Sequence, residues 1–369
     1  MKNKLFTIGP VEMYPSTRVV REKGFVHFRT NEYSDIVKDC LKRLSILLGN
    51  HVENSLIYLS ASGTAAMEAT VENCVFEDDK VLVINGGAFG HRFCELLEYH
   101  HKDFDSIDIN WNEELTEKYL KSYDNKGYTM LFVNLHETFT GQLYNIQMLS
   151  DLCKRNNMML VVDAISAFMA DEYNMEKYEI DLTIISSQKG LCLSPGMSFI
   201  SFSQRMLNKV AKSGLTSSKY FDFKDYLINI PRGQTPYTPP VCVMYELQDM
   251  LNLIEKEGGK QVHLNYIREK CNYFRKRVKE LGLKIPNYPL SNMLTPVEFP
   301  DNINAYDVIQ ILKDKFRIFV NPCGGDLATK LLRVSHIGNT TVEDIDYLLE
   351  KLLLAIDEVK NKELVYDRK

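Results

Sequence analysis

The chain has 369 residues, of which 45% are hydrophobic, and carries a formal net charge of -5 at pH 7. This length and apolar content suffice for a large core, and usually correspond to one large domain with a smaller companion. The acidic balance offers no basic field for nucleic acid, and no stretch reaches the roughly 18 consecutive apolar residues that a membrane span needs. We therefore predict a globular, soluble protein that binds neither nucleic acid nor membrane.

The eight cysteines are scattered without any C-x-x-C pair. This spacing argues against a zinc site and against a disulfide framework, so we predict no metal site and expect most thiols to be buried as small apolar groups. The N-terminus meets Gly9-Pro10 before an apolar signal region could form. These observations favour a cytoplasmic location.

An amphipathic pattern predicts the first long helix from Ser34 to Leu48, with Ser34 as its N-cap and Gly49 as its stop. A strand-like run, Leu56 to Leu59, follows it. Beyond this strand the alanines from Thr64 onward favour a second helix.

The junction between that strand and the second helix contains Ser62, Gly63 and Thr64. A helix N-terminus carries unpaired backbone N–H groups and the positive end of a dipole, so this junction suits a phosphate as well as it suits an ordinary N-cap. Neither G-x-G-x-x-G nor G-K-[ST] occurs here, which argues against dinucleotides and nucleoside triphosphates.

Short apolar runs then alternate with polar helical stretches, which is typical of an α/β fold with a mostly parallel sheet covered on both faces. Ligands of such sheets bind at the carboxyl ends of the strands. The predicted strands are Val81 to Ile84, Met130 to Leu135, Met159 to Val162, Leu182 to Ile185 and Met197 to Phe202.

Five side chains follow these strands: Phe89, Thr138, Asp163, Gln188 and Lys189. Alone, each has an ordinary interpretation as a core aromatic, a turn residue, an N-cap or a solvated lysine. Together they present an aromatic face, a hydroxyl, a carboxylate and an amine at one edge of the sheet. Burial would disfavour the ammonium form and make the amine a nucleophile suited to Schiff-base chemistry. With the phosphate junction, this set matches pyridoxal 5'-phosphate.

Beyond about Asp249 the pattern changes to a long charged helical stretch, Leu251 to Leu281, interrupted at Gly258-Gly259. Later strand-like and helical runs indicate a smaller α+β domain, so we predict a large domain over 1–250 and a small one over 251–369. These runs are Met293 to Phe299, Tyr306 to Lys313, Ile318 to Val320 and Val342 to Val359.

Nine motifs follow one another along nearly the whole chain. They are G-P-V at Gly9 to Val11, F-R-T-N-E-Y at Phe28 to Tyr33, S-G-T-A-A-M-E-A at Ser62 to Ala69, N-G-G-A-F-G-H-R at Asn85 to Arg92, H-E-T-F-T-G at His136 to Gly141, V-V-D-A-I-S at Val161 to Ser166, S-S-Q-K-G-L at Ser186 to Leu191, Y-T-P-P-V at Tyr237 to Val241 and L-R-V-S-H-I-G at Leu332 to Gly338. In these motifs the chain resembles class V aminotransferases of pyridoxal-phosphate fold type I. It is similar to the group of alanine/serine-glyoxylate (serine-pyruvate) and 2-aminoethylphosphonate-pyruvate aminotransferases.

The resemblance implies a large domain with a mostly parallel seven-stranded sheet between helices and a smaller α+β C-terminal domain. It implies that Lys189 forms the Schiff base with pyridoxal phosphate and that Asp163 pairs with the pyridinium nitrogen, which makes the ring an electron sink. It assigns further cofactor contacts to Ser62, Gly63, Thr64, Phe89, Thr138, Gln188 and Thr238.

The resemblance also implies a homodimer with the site at the subunit interface. In this family a tyrosine and a threonine of the neighbouring subunit reach the phosphate. Thr238 fits the threonine, whereas Thr235 stands at the tyrosine's position and nearby Tyr237 is an alternative. The resemblance assigns substrate binding to Arg333 and to the segment around Gly9. Arg333 suits a carboxylate, a phosphonate or both.

The expected activity is ping-pong transamination from a small amino donor to a 2-oxo acid such as pyruvate or glyoxylate. The donor, either an alanine or serine type or 2-aminoethylphosphonate, stays open. Two alternatives are another fold-type I enzyme, such as a lyase or a cysteine desulfurase using Cys323 near Arg333, and a non-catalytic binding protein. The second is disfavoured because Lys189 and Asp163 are both present.

Overall fold

A seven-stranded sheet forms the centre of the fold in the computed structural model, which describes residues 3–366. The strands in chain order are β1 Leu56–Leu59, β2 Lys80–Asn85, β3 Asp103–Asp108, β4 Met130–Asn134, β5 Met159–Asp163, β6 Leu182–Ser186 and β7 Ser198–Phe202. Their spatial order is β1-β7-β6-β5-β4-β2-β3, and only β7 runs antiparallel to its neighbours. The predicted mostly parallel α/β sheet is therefore confirmed.

Six of these strands match the predicted runs to within one residue at each end, but β3 was not predicted. Its sequence, D-F-D-S-I-D, contains three aspartates, and the strand lies at the edge of the sheet, where those side chains are exposed. The buried strands are continuous apolar runs because helices cover both faces. The apolar pattern therefore reveals the buried strands and misses this exposed one.

Helices surround the sheet and build the rest of the chain. The longer ones are Asn31–Leu48, Gly63–Cys74, Ala88–Tyr99, Ile146–Asn156, Gln204–Val210, Phe223–Asn229, Val241–Lys256, Lys260–Glu280, Ala305–Phe316 and Val342–Tyr366. The break between the two helices around residue 258 confirms the predicted Gly258-Gly259 interruption.

The N-cap predicted at Ser34 is wrong. The helix begins at Asn31, and the side chain of Thr30 accepts a hydrogen bond from the backbone N–H of Tyr33. The hydroxyl of Ser34 instead donates to the carbonyl of Thr30 at 3.0 Å. The polar residues Asn31 and Glu32 in the first turn hid the true start, because they add nothing to the apolar period. Gly49 ends the helix with φ 68°, as predicted.

The C-terminal part has its own antiparallel sheet. Its strands are β8 Leu294–Glu298, β9 Asn321–Pro322 and β10 Leu331–Ser335, with β10 in the centre. A second apolar cluster, which includes Phe274, Leu312 and Leu352, packs beside this sheet and is separate from the cluster around the large sheet. The division of the chain near residue 250 stays a prediction.

The N-terminal segment crosses to the C-terminal part. Lys4–Leu5 pairs in parallel with Ile318–Phe319, and the backbone N–H of Ser335 donates to the carbonyl of Phe6 at 2.9 Å. Further along, the N–H of Asn339 donates to the carbonyl of Glu12 at 2.8 Å. These bonds place residues 7–11 beside the carboxyl edge of the large sheet.

All eight cysteines are free thiols, and seven of them are buried, as expected. Within residues 3–366 no helix combines the length and the hydropathy that a transmembrane span requires. The same part of the chain holds no cluster of three or more His, Cys, Asp or Glu side chains suited to a metal ion.

Candidate active site

Lys189 lies in a tight turn directly after β6. The turn is held by a hydrogen bond from the N–H of Cys192 to the carbonyl of Lys189 at 2.8 Å. Burial lowers the pKa of the Lys189 amine to about 8; the carboxylate of Asp163 opposes this shift, and Arg333 adds to it. About a tenth of the amine is therefore unprotonated at pH 7, far more than for an ordinary lysine.

The N-terminal segment covers this lysine. A Cβ atom added at Gly9 would lie 2.8 Å from Cδ of Lys189 and 3.1 Å from the carbonyl oxygen of Gln188. A side chain at residue 9 would therefore displace the lysine. This close approach places Gly9 at the candidate site, as predicted from its motif.

Asp163 ends β5 and is 1% exposed. Its Oδ1 accepts a hydrogen bond from the N–H of Ile165, and its Oδ2 accepts one from the side-chain amide of Asn134, each at 2.8 Å. Burial raises the pKa of the Asp163 carboxyl to about 6, although these two bonds and Lys189 favour the charged form. The carboxylate is thus fixed in orientation and is poorly solvated.

The predicted phosphate junction is the N-terminus of the helix Gly63–Cys74. Ser62 is its N-cap, and its hydroxyl accepts a hydrogen bond from the N–H of Ala65 at 3.3 Å. A Cβ added at Gly63 would lie 2.3 Å from Cδ1 of Ile165, so a side chain there would require the Ile165 side chain to move. The absence of a side chain lets the first turn of the helix approach the loop that follows Asp163.

A cavity of about 180 Å³ joins these elements. Eight of the predicted site residues line it: Ser62, Gly63, Thr64, Phe89, Thr138, Asp163, Gln188 and Lys189. Sequence reasoning missed four further lining residues, Met67, Asn134, Ile165 and Ser166. Asn134 could have been found, because it ends β4 and is paired in register with Asp163 on β5.

Arg333 lies on β10, next to this cavity. Its Nη1 donates to the carbonyl of Thr138 at 2.6 Å, and its Nη2 donates to the carbonyl of Pro322. Its Nε is buried and has no hydrogen-bond partner among the residues described. Burial lowers the pKa of the guanidinium, and the nearby Cys323 and Glu137 oppose that shift. A half-buried cation whose Nε lacks a partner is suited to an incoming anion.

The thiol of Cys323 is poorly suited to a desulfurase nucleophile. It is 6% exposed and lies 3.5 Å from the carbonyl oxygen of Phe139. Burial raises the pKa of this thiol, although Arg333 opposes the shift. A reactive cysteine needs an accessible thiolate, and Cys323 offers neither accessibility nor a lowered pKa.

The loop at 234–238 keeps the predicted cross-subunit residues outside the cavity of their own chain. Thr235 is 4% exposed, and its hydroxyl donates to the carbonyl of Tyr237 at 2.7 Å. The Tyr237 hydroxyl donates to the carbonyl of Lys219 at 3.0 Å, whereas Thr238 is exposed. The carbonyl of Thr238 accepts a hydrogen bond from Ser60 at 3.1 Å, close to the phosphate junction. Thr235 is therefore a poor replacement for the family's tyrosine.

The comparison with known families decides the class of protein. The family described as Aminotransferase class-V matches residues 15–348. The chain belongs to the class-V aminotransferase family. This membership confirms the resemblance found in the nine motifs and implies a transaminase that depends on pyridoxal phosphate.

Relatives of this aminotransferase support the assignment. An uncharacterized aminotransferase of Methanocaldococcus jannaschii is 27% identical, with 97% of this chain and 94% of the relative covered. A bifunctional phosphonoacetaldehyde hydrolase/aminoethylphosphonate transaminase of Clostridioides difficile is 29% identical, over 94% of this chain and 55% of the relative. The crystal structure of alanine–glyoxylate aminotransferase from Nostoc sp. superposes with a TM-score of 0.91 at 25% identity, covering 96% and 95% of the two chains.

The residues of this aminotransferase fit the cofactor that the family implies. The side-chain oxygen of Asn134 is buried without a partner among the residues described, and the Asp163 carboxylate beside it is almost inaccessible to water. A protonated ring nitrogen would supply the missing positive partner for that carboxylate. At the other side of the cavity, the N-terminus of the helix Gly63–Cys74 suits a phosphate.

Proposed function

We propose that this aminotransferase moves an amino group from a small amino acid to pyruvate or glyoxylate in two half-reactions at one site. The observation that carries the proposal is the cavity that joins the amine of Lys189 to the oriented carboxylate of Asp163. Arg333 lies beside this cavity with an unpaired donor. The likeness to an alanine–glyoxylate aminotransferase supports the choice of substrates.

Bound pyridoxal phosphate supplies an electron sink that stabilises the carbanion left when the donor loses its α-proton. Lys189 would hold the cofactor and, once released from it, move the α-proton. Its lowered pKa suits this role, since a base works best when its pKa lies near the working pH. Asp163 would keep the ring nitrogen protonated, and Phe89 would stack on the ring.

Arg333 would orient the α-carboxylate of the donor and later that of the 2-oxo acid. A guanidinium presents paired donors that match a carboxylate, and the same groups can bind a phosphonate. The aminoethylphosphonate transaminase of C. difficile therefore keeps 2-aminoethylphosphonate as the second candidate donor.

A panel of donors tests this function. Purified, cofactor-loaded protein is mixed with alanine, serine, glycine, aspartate or 2-aminoethylphosphonate without an acceptor, and the visible absorbance of the cofactor is followed. We expect alanine or serine to convert the cofactor to its amino form, and pyruvate or glyoxylate to restore it. A protein that binds the cofactor but responds to no donor would contradict the proposal.

Replacing Arg333 by glutamine should raise KM for the amino acid about 100-fold with a smaller loss of kcat, because the charged hydrogen bonds to the carboxylate are worth about 3 kcal/mol. Steady-state kinetics with donor and acceptor varied separately would measure this effect. Arg333→Lys is the matched control, since it keeps the charge but loses the paired donors, and it should show an intermediate KM. Equal kinetics for all three proteins would refute a role for Arg333 in substrate binding.

We also propose a cytoplasmic homodimer in which Thr238 reaches the site of the neighbouring subunit. The exposed Thr238, together with Leu215 at 97% and Ile228 at 70% exposure, supports a contact surface along residues 215–238. Free thiols at all eight cysteines support a reducing compartment. Light scattering of the purified protein should give twice the mass of the chain.

A further inference from the structure

Glu137 is a buried carboxylate to which the motif analysis assigned no role. It is 1% exposed and lies in the motif that carries Thr138. Burial raises the pKa of its carboxyl, and three backbone N–H groups oppose that shift. A buried carboxylate keeps its charge only where hydrogen bonds replace its hydration. The donors of these three bonds therefore show which parts of the chain Glu137 holds together.

Two of the bonds come from the helix Ala88–Tyr99. Oε2 of Glu137 accepts hydrogen bonds from the N–H groups of Phe89 and Gly90, both at 3.2 Å. The N-cap residue of this helix, Gly87, has no side chain to provide an acceptor, and a Cβ there would lie 2.6 Å from Cδ of Glu137. Glu137 thus caps the helix from another segment, where a negative charge also meets the positive end of the helix dipole.

The third bond comes from the turn that follows Glu137. Its Oε1 accepts a hydrogen bond from the N–H of Phe139 at 3.1 Å, and its own carbonyl accepts one from Gly141 at 2.7 Å. Thr138 lies between Glu137 and Phe139 in this turn, and its carbonyl accepts a hydrogen bond from Arg333 at 2.6 Å. Hydrogen bonds and the backbone therefore connect Phe89 to Arg333: the N–H of Phe89 bonds to Glu137, and the next residue, Thr138, bonds to Arg333.

We propose that Glu137 is a positioning residue: its carboxylate fixes the start of the Phe89 helix against the Thr138 turn and so sets the distance between the cofactor ring and Arg333. The proposal rests on the proposed function, because that function assigns Phe89 to the cofactor and Arg333 to the substrate. Glu137 itself does not line the cavity.

The substitution Glu137→Gln keeps the shape and removes one acceptor oxygen. The three N–H donors occupy both carboxylate oxygens, so either orientation of the amide turns its NH₂ group toward at least one backbone N–H. A backbone N–H group that faces this NH₂ group has lost its acceptor. It should move away, because a buried donor without a hydrogen bond destabilises the folded protein. The helix start and the turn should then separate.

We expect E137Q to raise both the dissociation constant of pyridoxal phosphate and KM for the amino donor about tenfold. Cofactor binding to the cofactor-free protein is measured by equilibrium titration, and KM and kcat by steady-state kinetics. Trp111, the sole tryptophan, packs with Phe139 against the cluster of Cys323, Leu327 and Leu331. Its fluorescence in the cofactor-free protein should change in E137Q, which reports movement of the turn independently of activity.

Asp181→Asn is the matched control. Asp181 is also a buried carboxylate, at 5% exposure, and accepts hydrogen bonds from the N–H of Leu160 at 3.0 Å and the hydroxyl of Ser203 at 2.8 Å. It directly precedes β6 and therefore lies at the amino end of that strand, whereas Lys189 follows the carboxyl end. D181N should alter thermal stability while leaving cofactor affinity, KM and Trp111 fluorescence unchanged.

A second variant, Gly87→Ala, displaces the Glu137 carboxylate sterically and keeps its charge. It should reproduce the effects of E137Q and replaces that variant if E137Q does not fold. Unchanged cofactor affinity and KM in these variants, or equal effects in D181N, would overturn the proposal. If the wild-type protein binds no cofactor, the proposed function fails instead, and the Trp111 fluorescence still decides whether Glu137 holds the turn.

Discussion

Replacing Lys189 by alanine is expected to reduce transamination at least about 10⁴-fold. The loss combines removal of the covalent attachment with removal of the base that moves the α-proton, and a positioned base alone contributes about 10² to 10⁴. The substitution removes the only amine that lines the cavity within the described part of the chain. The measurement is kcat in a coupled assay, with borohydride reduction and peptide mapping of the labelled lysine in the wild-type protein.

A second buried lysine provides the control for this assignment. Lys270 is 1% exposed, and burial lowers the pKa of its amine to about 8, as for Lys189. It donates to the carbonyls of Gly338 and Thr340 and does not line the cavity. A borohydride label on Lys270, or full activity of K189A, would refute the assignment. Cofactor capture by the cofactor-free protein should accelerate as pH rises through about 8, because the Lys189 amine deprotonates there.

The substitution Asp163→Asn is expected to lower kcat about 10³-fold. An amide cannot hold the ring nitrogen in its protonated form, and removal of one preorganised electrostatic group typically reduces kcat by about 10² to 10³. The neutral side chain fits the site without strain. Asn134 can rotate its amide so that its buried, unpaired Oδ1 accepts a hydrogen bond from the new NH₂ group.

The same variant should be more stable than the wild type when both lack cofactor and the pH is high. Burial raises the pKa of Asp163 from 3.8 to about 6, so the folded protein binds more protons than the unfolded one between those values. The stability that the neutral carboxyl contributes is present below pH 4 and lost as pH rises through 6, a loss of about 3 kcal/mol. D163N avoids this loss, and urea unfolding at pH 4 and pH 8 measures it.

Asp171→Asn separates this stability effect from catalysis. Asp171 is buried, its pKa is also raised to about 6 by burial, and it accepts a hydrogen bond from the N–H of Asn292 at 2.8 Å. It lies outside the cavity, so D171N should change the pH dependence of stability while transamination continues. Equal losses of kcat in D163N and D171N would contradict the role of Asp163.

The sequence was sufficient to predict the residues that stand where buried strands end. β5 and β6 are continuous apolar runs, so Asp163 and Lys189 were placed at one edge of the sheet from their positions after these runs, and the structure brings both to the cavity. Their proximity to Arg333 was inferred from the family motif. No local pattern shows that β10, which lies more than 140 residues after Lys189 in the chain, packs against the turn that contains Thr138.

Residues that act through backbone contacts were missed. Glu137 lies in a recognised motif, but its partners Phe89 and Gly90 are nearly 50 residues earlier, and a helix capped from another segment has no sequence signal. Asn134 was missed because its task is to orient a neighbour across the sheet. The edge strand β3 was missed because its exposed aspartates interrupt the apolar run by which the buried strands were recognised.

The segment around Gly9 covers Lys189, and it is held there by residues that the ribosome adds much later. Lys4–Leu5 pairs with Ile318–Phe319, and the carbonyl of Glu12 bonds to the N–H of Asn339. At roughly 10 residues per second, a ribosome needs about 30 s to add those partners after the N-terminal segment has emerged. Until then the segment around Gly9 lacks the partners that hold it over Lys189. During biosynthesis the closure of the pocket therefore joins the segment around Gly9 to chain that is translated about 300 residues later.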